Sequence, residues 1–269
     1  MMDMKTRQRM LVILNSATLL IMLLANYAGQ TGMLSRANVA DISHKYDTLF
    51  APAGYAFTIW GVIFLLLIGM VGYQWVLLRK NDKSEVIRRT GIWLAVSNVA
   101  NAAWLFCWLN EQLGFSVLCI VALLVSLIVM TVRLRLELDD APVRHIIFVW
   151  FPVTIYLGWI MVATIACMAS WLIATGWQRF GLSENTWAIL LLIIACVIYL
   201  LLIKRRNMRE ASLVGMWAFI AIAVRQRTVH GELEITALAA SLVLLGAIGL
   251  HAYKNRKYNL ASKLHQREW

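Results

Sequence analysis

The sequence predicts an all-α fold: a polytopic membrane helical bundle of about eight transmembrane helices. Three observations point there. Hydrophobic residues make up 61% of the 269 and charged residues only 14%, against about 25% charged in soluble domains. Apolar runs close to the roughly 20 residues that span a bilayer recur along the whole chain. Lysine and arginine are dense in alternate connections and sparse in those between, as expected of a chain that crosses and recrosses a membrane.

The first run, 10–27, follows Lys5, Arg7 and Arg9. Those charges resemble a signal peptide, but no small-residue cleavage site follows in "ANYAGQTG", so the run reads as a retained helix. The connection 28–51 is long and lacks periodicity. Loops of that kind serve as lids or binding segments, or as solvated connectors. The second run, 54–78, opens with Pro52, Gly54, Tyr55, Phe57 and Trp60, turn and ring chemistry at a helix entrance. Runs 91–109 and 114–132 follow, and then 146–172, in which Pro152 removes a backbone donor and predicts a bend near the start. Runs 186–203, 213–224 and 235–253 complete the set. The 213–224 run reaches only about 20 Å of a roughly 30 Å core. Arg225 and Arg227 are expected on its extension, either snorkelling to the interface or turned inward onto an anionic ligand group.

The charge count sets the orientation. Lys5, Arg7 and Arg9, the cluster from Arg79 to Arg89, Arg133, Arg135 and Arg144, the cluster from Lys204 to Arg209, and Lys254 with the basic tail place 20 of the 25 basic residues on one side. Arg36, Lys45, Arg179, Arg225 and Arg227 make up the other. This places both termini in the cytoplasm, in the cell membrane. It also explains the net charge of +11 through topology and anionic lipid, so no nucleic acid is expected as a partner.

Several chemistries are excluded. Cys107, Cys119, Cys167 and Cys196 all lie in apolar runs without metal-pair spacing, so neither a disulfide nor a metal site is expected. No histidine is central in a run, which argues against haem ligation. Acidic residues are absent from the membrane interior, which argues against a carboxylate relay. No P-loop, GxSxG or HExxH motif occurs. Tyr199 with Val197 and Lys204 meets the loose cholesterol pattern, which is too permissive to define a site. No cofactor and no catalytic residue is expected.

The candidate site lies on two helix faces. Trp93, Ser97, Asn101, Trp104 and Trp108 recur at steps of four, four, three and four, which aligns them. Asn98 stands beside them. A lone amide in hydrocarbon costs several kcal/mol, so Asn98 and Asn101 must look inward, either to another helix or to a ligand. Pro152, Tyr156, Trp159, Ala163 and Cys167 form a second such face. Thr154 and Thr164 read as bonding back to their own helix. Trp75, Trp150, Trp177 and Trp187 fit the interfacial belt. Trp60, Trp104 and Trp159 lie deeper, where they can stack a flat, partly polar ligand.

These residues resemble the tryptophan-rich sensory proteins, also called TspO/MBR or translocator proteins. "PAGYAFTIWG" is similar to the signature opening that family's second helix, "NAAWLF" to the Asn and Trp pair of its third, and "YLGWIMVATIACMASW" to the pattern of its fifth. The resemblance covers about residues 10–175. It departs at Pro52-Ala53, where the family has two prolines, in a Phe57 to Trp60 interval one residue short, and at Cys167, where an asparagine is expected. The last three helices lie outside the family's five-helix core. The chain is therefore divided into a TspO-like five-helix domain, 1–178, and a three-helix extension with a basic tail, 179–269.

The resemblance implies a pocket between the helices, covered by the first loop, for porphyrins and in some relatives sterols. Its lining would include Trp60, Asn101, Trp104, Tyr156 and Trp159, and the ligand-binding set is completed by Tyr55, Phe57, Asn98 and Cys167. The leading function is a membrane sensor or shuttle for a flat hydrophobic ligand such as a porphyrin. The alternatives are a transporter of a small hydrophobic or anionic compound, a light-dependent porphyrin-degrading enzyme, and a scaffold for another chain. The partners expected are the bilayer and that small molecule, with a homodimer left open.

Overall fold

The computed structural model describes residues 3–80, 85–138 and 141–255. Of the basic residues counted above, Lys83, Arg256, Lys257, Lys263 and Arg267 lie outside the described residues. Eight long helices run through the described part, with no strand among them. They are α1 (Met4–Gln30), α2 (Ile59–Arg79), α3 (Trp93–Leu109), α4 (Leu113–Arg133), α5 (Phe151–Ala174), α6 (Glu184–Arg206), α7 (Arg209–Gln226) and α8 (Gly231–Lys254). Six have the length and apolar character to cross a membrane. Of the other two, α3 is apolar but has only 17 residues, and α7 carries charge in its first and last turns.

Within the first five helices, α3 packs against α1 and α4, α5 packs against α4, and α2 rests on α1 and α5. In the remainder, α7 is flanked by α6 and α8 and packs on α5. Packed in that central position, a helix read as only 213–224 extends to 18 residues, and its Arg225 end pairs with Asp47.

The start of α2 differs from the sequence reading. Gly54–Thr58 forms a 3₁₀ turn, and the α-helix begins only at Ile59. Pro152, where a bend was expected, stands just after a change of helix type. Ile146–Trp150 is a π-helical turn leading into α5, and such a wider turn tolerates the missing proline donor and the bulk of its ring.

Two glycines set how closely α5, α6 and α7 meet. A Cβ on Gly158 would lie 2.7 Å from the Ala211 carbonyl oxygen, so α5 and α7 touch backbone to backbone there. A Cβ on Gly215 would strike the Tyr199 ring. That ring is fully buried, and its hydroxyl donates to the Gly158 carbonyl at 2.6 Å. Small residues at helix contacts are a general means of close packing in membranes, where no hydrophobic force draws helices together.

Candidate ligand cavity

The segment between α1 and α2 is a folded cover packed on the bundle, not a solvated connector. It carries a short helix, Val39–Lys45, started by an Asn38–Asp41 capping box. Ile42, Phe50 and Ala51 are buried. The cover is tied to the bundle at several points: the Trp108 indole donates to the Val39 carbonyl at 3.1 Å, and the Ser170 hydroxyl to that of Tyr46 at 3.3 Å. Lys45 and Tyr46 both donate to Glu111, at 2.7 and 2.6 Å. Those bonds, Lys45 first, hold the Glu111 carboxyl below the usual carboxylate range. The same carboxylate raises Lys45 and Tyr46 above their ordinary values.

Beneath the cover lies a cluster of rings. Trp60 stacks on Phe64 at 5.6 Å and on Trp104 at 5.9 Å between centroids. It meets Tyr156 and Trp159 edge-on at 5.9 and 6.3 Å. Phe57 meets Trp159 edge-on, and Trp108 continues the stack from Trp104. The steps of three and four along α3 and α5 are what place these rings on facing surfaces.

Phe57, Trp60, Trp104, Trp159 and Cys167 line one cavity, together with Pro52 and with Val39 and Ser43 of the cover. Its free space is about 30 Å³. That holds two waters or so, far below the roughly 300 Å³ at which small-molecule sites begin. A ring-sized ligand therefore requires the cover or the rings to move. Two lining side chains are electrically unfinished. The buried indole N–H groups of Trp104 and Trp159 have no hydrogen-bond partner, with only the Cys167 thiol within reach of Trp104. The thiol itself lies 3.3 Å from the Ser116 hydroxyl.

Other residues of the expected set are placed elsewhere. Asn101 donates to the Tyr156 hydroxyl at 3.0 Å and accepts from Asn26 at 2.9 Å. Asn26, Asn101 and Tyr156 thus form a hydrogen-bonded chain joining α1, α3 and α5. Asn98 donates to Thr18 at 3.3 Å and does not line the cavity. Tyr55 turns away and meets Trp217 of α7 edge-on at 5.2 Å. Thr154 and Thr164 do bond back, to Trp150 and Ile160. Tyr199 is occupied by Gly158 rather than presented to lipid.

Arg225 does not snorkel freely: it bonds to Asp47 of the cover at 2.6 Å, with its side chain only 13% exposed. Sequence reasoning missed that contact, the role of Asn26, and a fully buried Asn15–Gln74 pair at 3.1 Å. A signal existed for α1, where Asn15, Thr18, Met22 and Asn26 recur at steps of three, four and four within an apolar run.

A family model described as TSPO-like protein matches residues 12–250 and therefore takes in the last three helices as well as the first five. No curated protein and no solved structure matches the chain.

Proposed function

The chain belongs to the TSPO-like protein family, and from that premise we propose that it is a membrane binding protein that senses or shuttles a flat hydrophobic ligand, such as a porphyrin, held among Trp60, Trp104 and Trp159. One observation carries this reading: an aromatic cavity whose walls include two buried, unpaired indole donors. Buried donors almost always find partners, so a ligand that stacks on the rings and brings an acceptor supplies what the protein leaves open. Each good ring contact contributes roughly 0.5–1.5 kcal/mol beyond area burial. The reading includes a cell-membrane location with both termini cytoplasmic, supported by the distribution of basic residues. It also keeps the division into 1–178 and 179–269, with the cavity in the first part.

The test is titration of the purified protein with protoporphyrin IX, followed by tryptophan fluorescence. Combined Trp104→Ala and Trp159→Ala should weaken binding by ~10-fold or more, the scale of two lost ring contacts. Unchanged binding in that double variant would rule out this cavity.

A further inference from the structure

The last three helices have no part in the cavity wall, yet one of them grips its cover. Arg225, at the end of α7, donates to Asp47 at 2.6 Å, to the Ala51 carbonyl at 3.3 Å and to the His44 ring nitrogen at 3.2 Å. A guanidinium has no acceptor, so the imidazole nitrogen must accept. The next residue, Gln226, donates to the Leu49 carbonyl at 2.9 Å. Further along, the Ala53 amide donates to the Ala221 carbonyl at 3.1 Å, and the Trp217 indole to that of Ala56 at 3.3 Å. Every one of these bonds ends on residues 44–56, the segment that carries Pro52 and runs directly into Phe57.

From these contacts we propose that α7 is a clasp on the cover, with Arg225 as the positioning residue that holds 44–56 shut over the aromatic cavity. The inference rests on the cavity reading above and assigns the C-terminal helices a role in it: they set how fast the cavity opens. Two features of the geometry support a releasable clasp over a permanent weld. The cavity holds about 30 Å³, so loading it demands movement. The Arg225–Asp47 pair has one member nearly enclosed and the other 61% exposed, so water can compete for the loop side while the arginine stays anchored through α7. The α5–α7 contact through Gly158 makes the far end of the clasp rigid.

The test uses the full chain in detergent or nanodiscs, with two readouts. Hydrogen–deuterium exchange of 44–56 needs no ligand. Asp47→Asn and Arg225→Gln should each speed exchange there by up to about fivefold, the scale of a partly exposed ion pair. The double variant should be little faster than either single, because the two residues act as one unit, while Arg225→Lys should fall between wild type and Arg225→Gln. In stopped-flow tryptophan quenching with protoporphyrin IX, association and dissociation should accelerate by the same factor, leaving Kd unchanged, because the clasp lies outside the cavity wall. Should Arg225→Gln fail to fold, Asp47→Asn on the exposed loop carries the test alone. Exchange of 44–56 that stays at the wild-type rate in folded Asp47→Asn overturns the clasp, as does acceleration spread evenly over the whole chain. If exchange responds as expected but neither wild type nor variant binds protoporphyrin, the porphyrin reading falls and the clasp stands.

Discussion

The ring cluster under the cover and the junction of α5, α6 and α7 are both buried and dominated by apolar groups, yet they are built on opposite rules. Around Trp60 the contacts are large rings at 5.6–6.3 Å, with a small cavity and two unpaired indole donors. At the junction the contacts are Gly158, Gly215 and Ala211, with backbone against backbone and the Tyr199 hydroxyl satisfied at 2.6 Å. Rings can slide or tilt over one another at modest cost, whereas a backbone contact without side chains leaves nothing to adjust. The difference separates a region shaped to change from a region shaped to hold, with the Arg225 clasp running from the second to the first.

The largest expected effect tests the rigid side. Gly215→Leu places a branched side chain where even a Cβ meets the Tyr199 ring. Overpacking costs typically 1–3 kcal/mol and sometimes more, and here the ring cannot yield without losing its bond to Gly158. The variant should be depleted in membranes and, where purified, melt well below wild type. A melting temperature within a degree or so of wild type would place adjustable space at the junction and break the comparison.

How much of this was legible in the sequence follows the same line. Helix spans depend on runs of apolar residues, which are local, so all eight long helices could be placed from them. The α3 and α5 faces were legible because period and ring chemistry coincide at Trp104, Trp108, Tyr156 and Trp159. The cover was recognisable as a long aperiodic segment. What holds it was not, since Arg225 and Asp47 are 178 positions apart and no pattern announces such a partner. Asn101 shows the same limit: its burial followed from the cost of a lone amide, but its bonds to Asn26 and Tyr156 are a matter of three-dimensional placement. The start of α7 was hidden because Arg209 and Glu210 look like a helix's surroundings in the sequence.

A middle-sized effect sits at the seam between the halves, on the face opposite the cover. Glu137, in the connection after α4, has its carboxyl pushed up to about 8 by burial, with nearby Glu210 adding to the rise and Arg209 opposing it. The folded chain therefore keeps this proton in a range where the unfolded chain, with an ordinary value of 4.5, has already lost it. The group's contribution to stability is fully present below about 4.5 and is lost as pH rises through about 8. Glu137→Gln carries a permanent neutral amide and should flatten that slope: near-wild-type melting at pH ~5 and higher melting at pH ~8. Parallel pH profiles for variant and wild type would show that the carboxyl is not held neutral at the seam.

The smallest effect compares one polar group from each region. Tyr199→Phe deletes a hydroxyl whose bond to Gly158 is made, and a buried neutral hydrogen bond contributes about 1 kcal/mol. It also leaves a carbonyl at the α5–α7 contact short of a donor. Trp159→Phe deletes an N–H that has no partner, so its loss removes a desolvated group and gives back part of what the smaller ring forfeits in contacts. In chemical unfolding, Tyr199→Phe should cost about 1 kcal/mol, and Trp159→Phe should cost less than ring area alone predicts. Protoporphyrin binding should reverse the order, with Trp159→Phe weakened by up to about tenfold for one lost donor and Tyr199→Phe unchanged. If stability and binding instead rank the two variants the same way, the unpaired indole is an ordinary part of the packing, and the contrast between a region that holds and a region that waits for a ligand is lost.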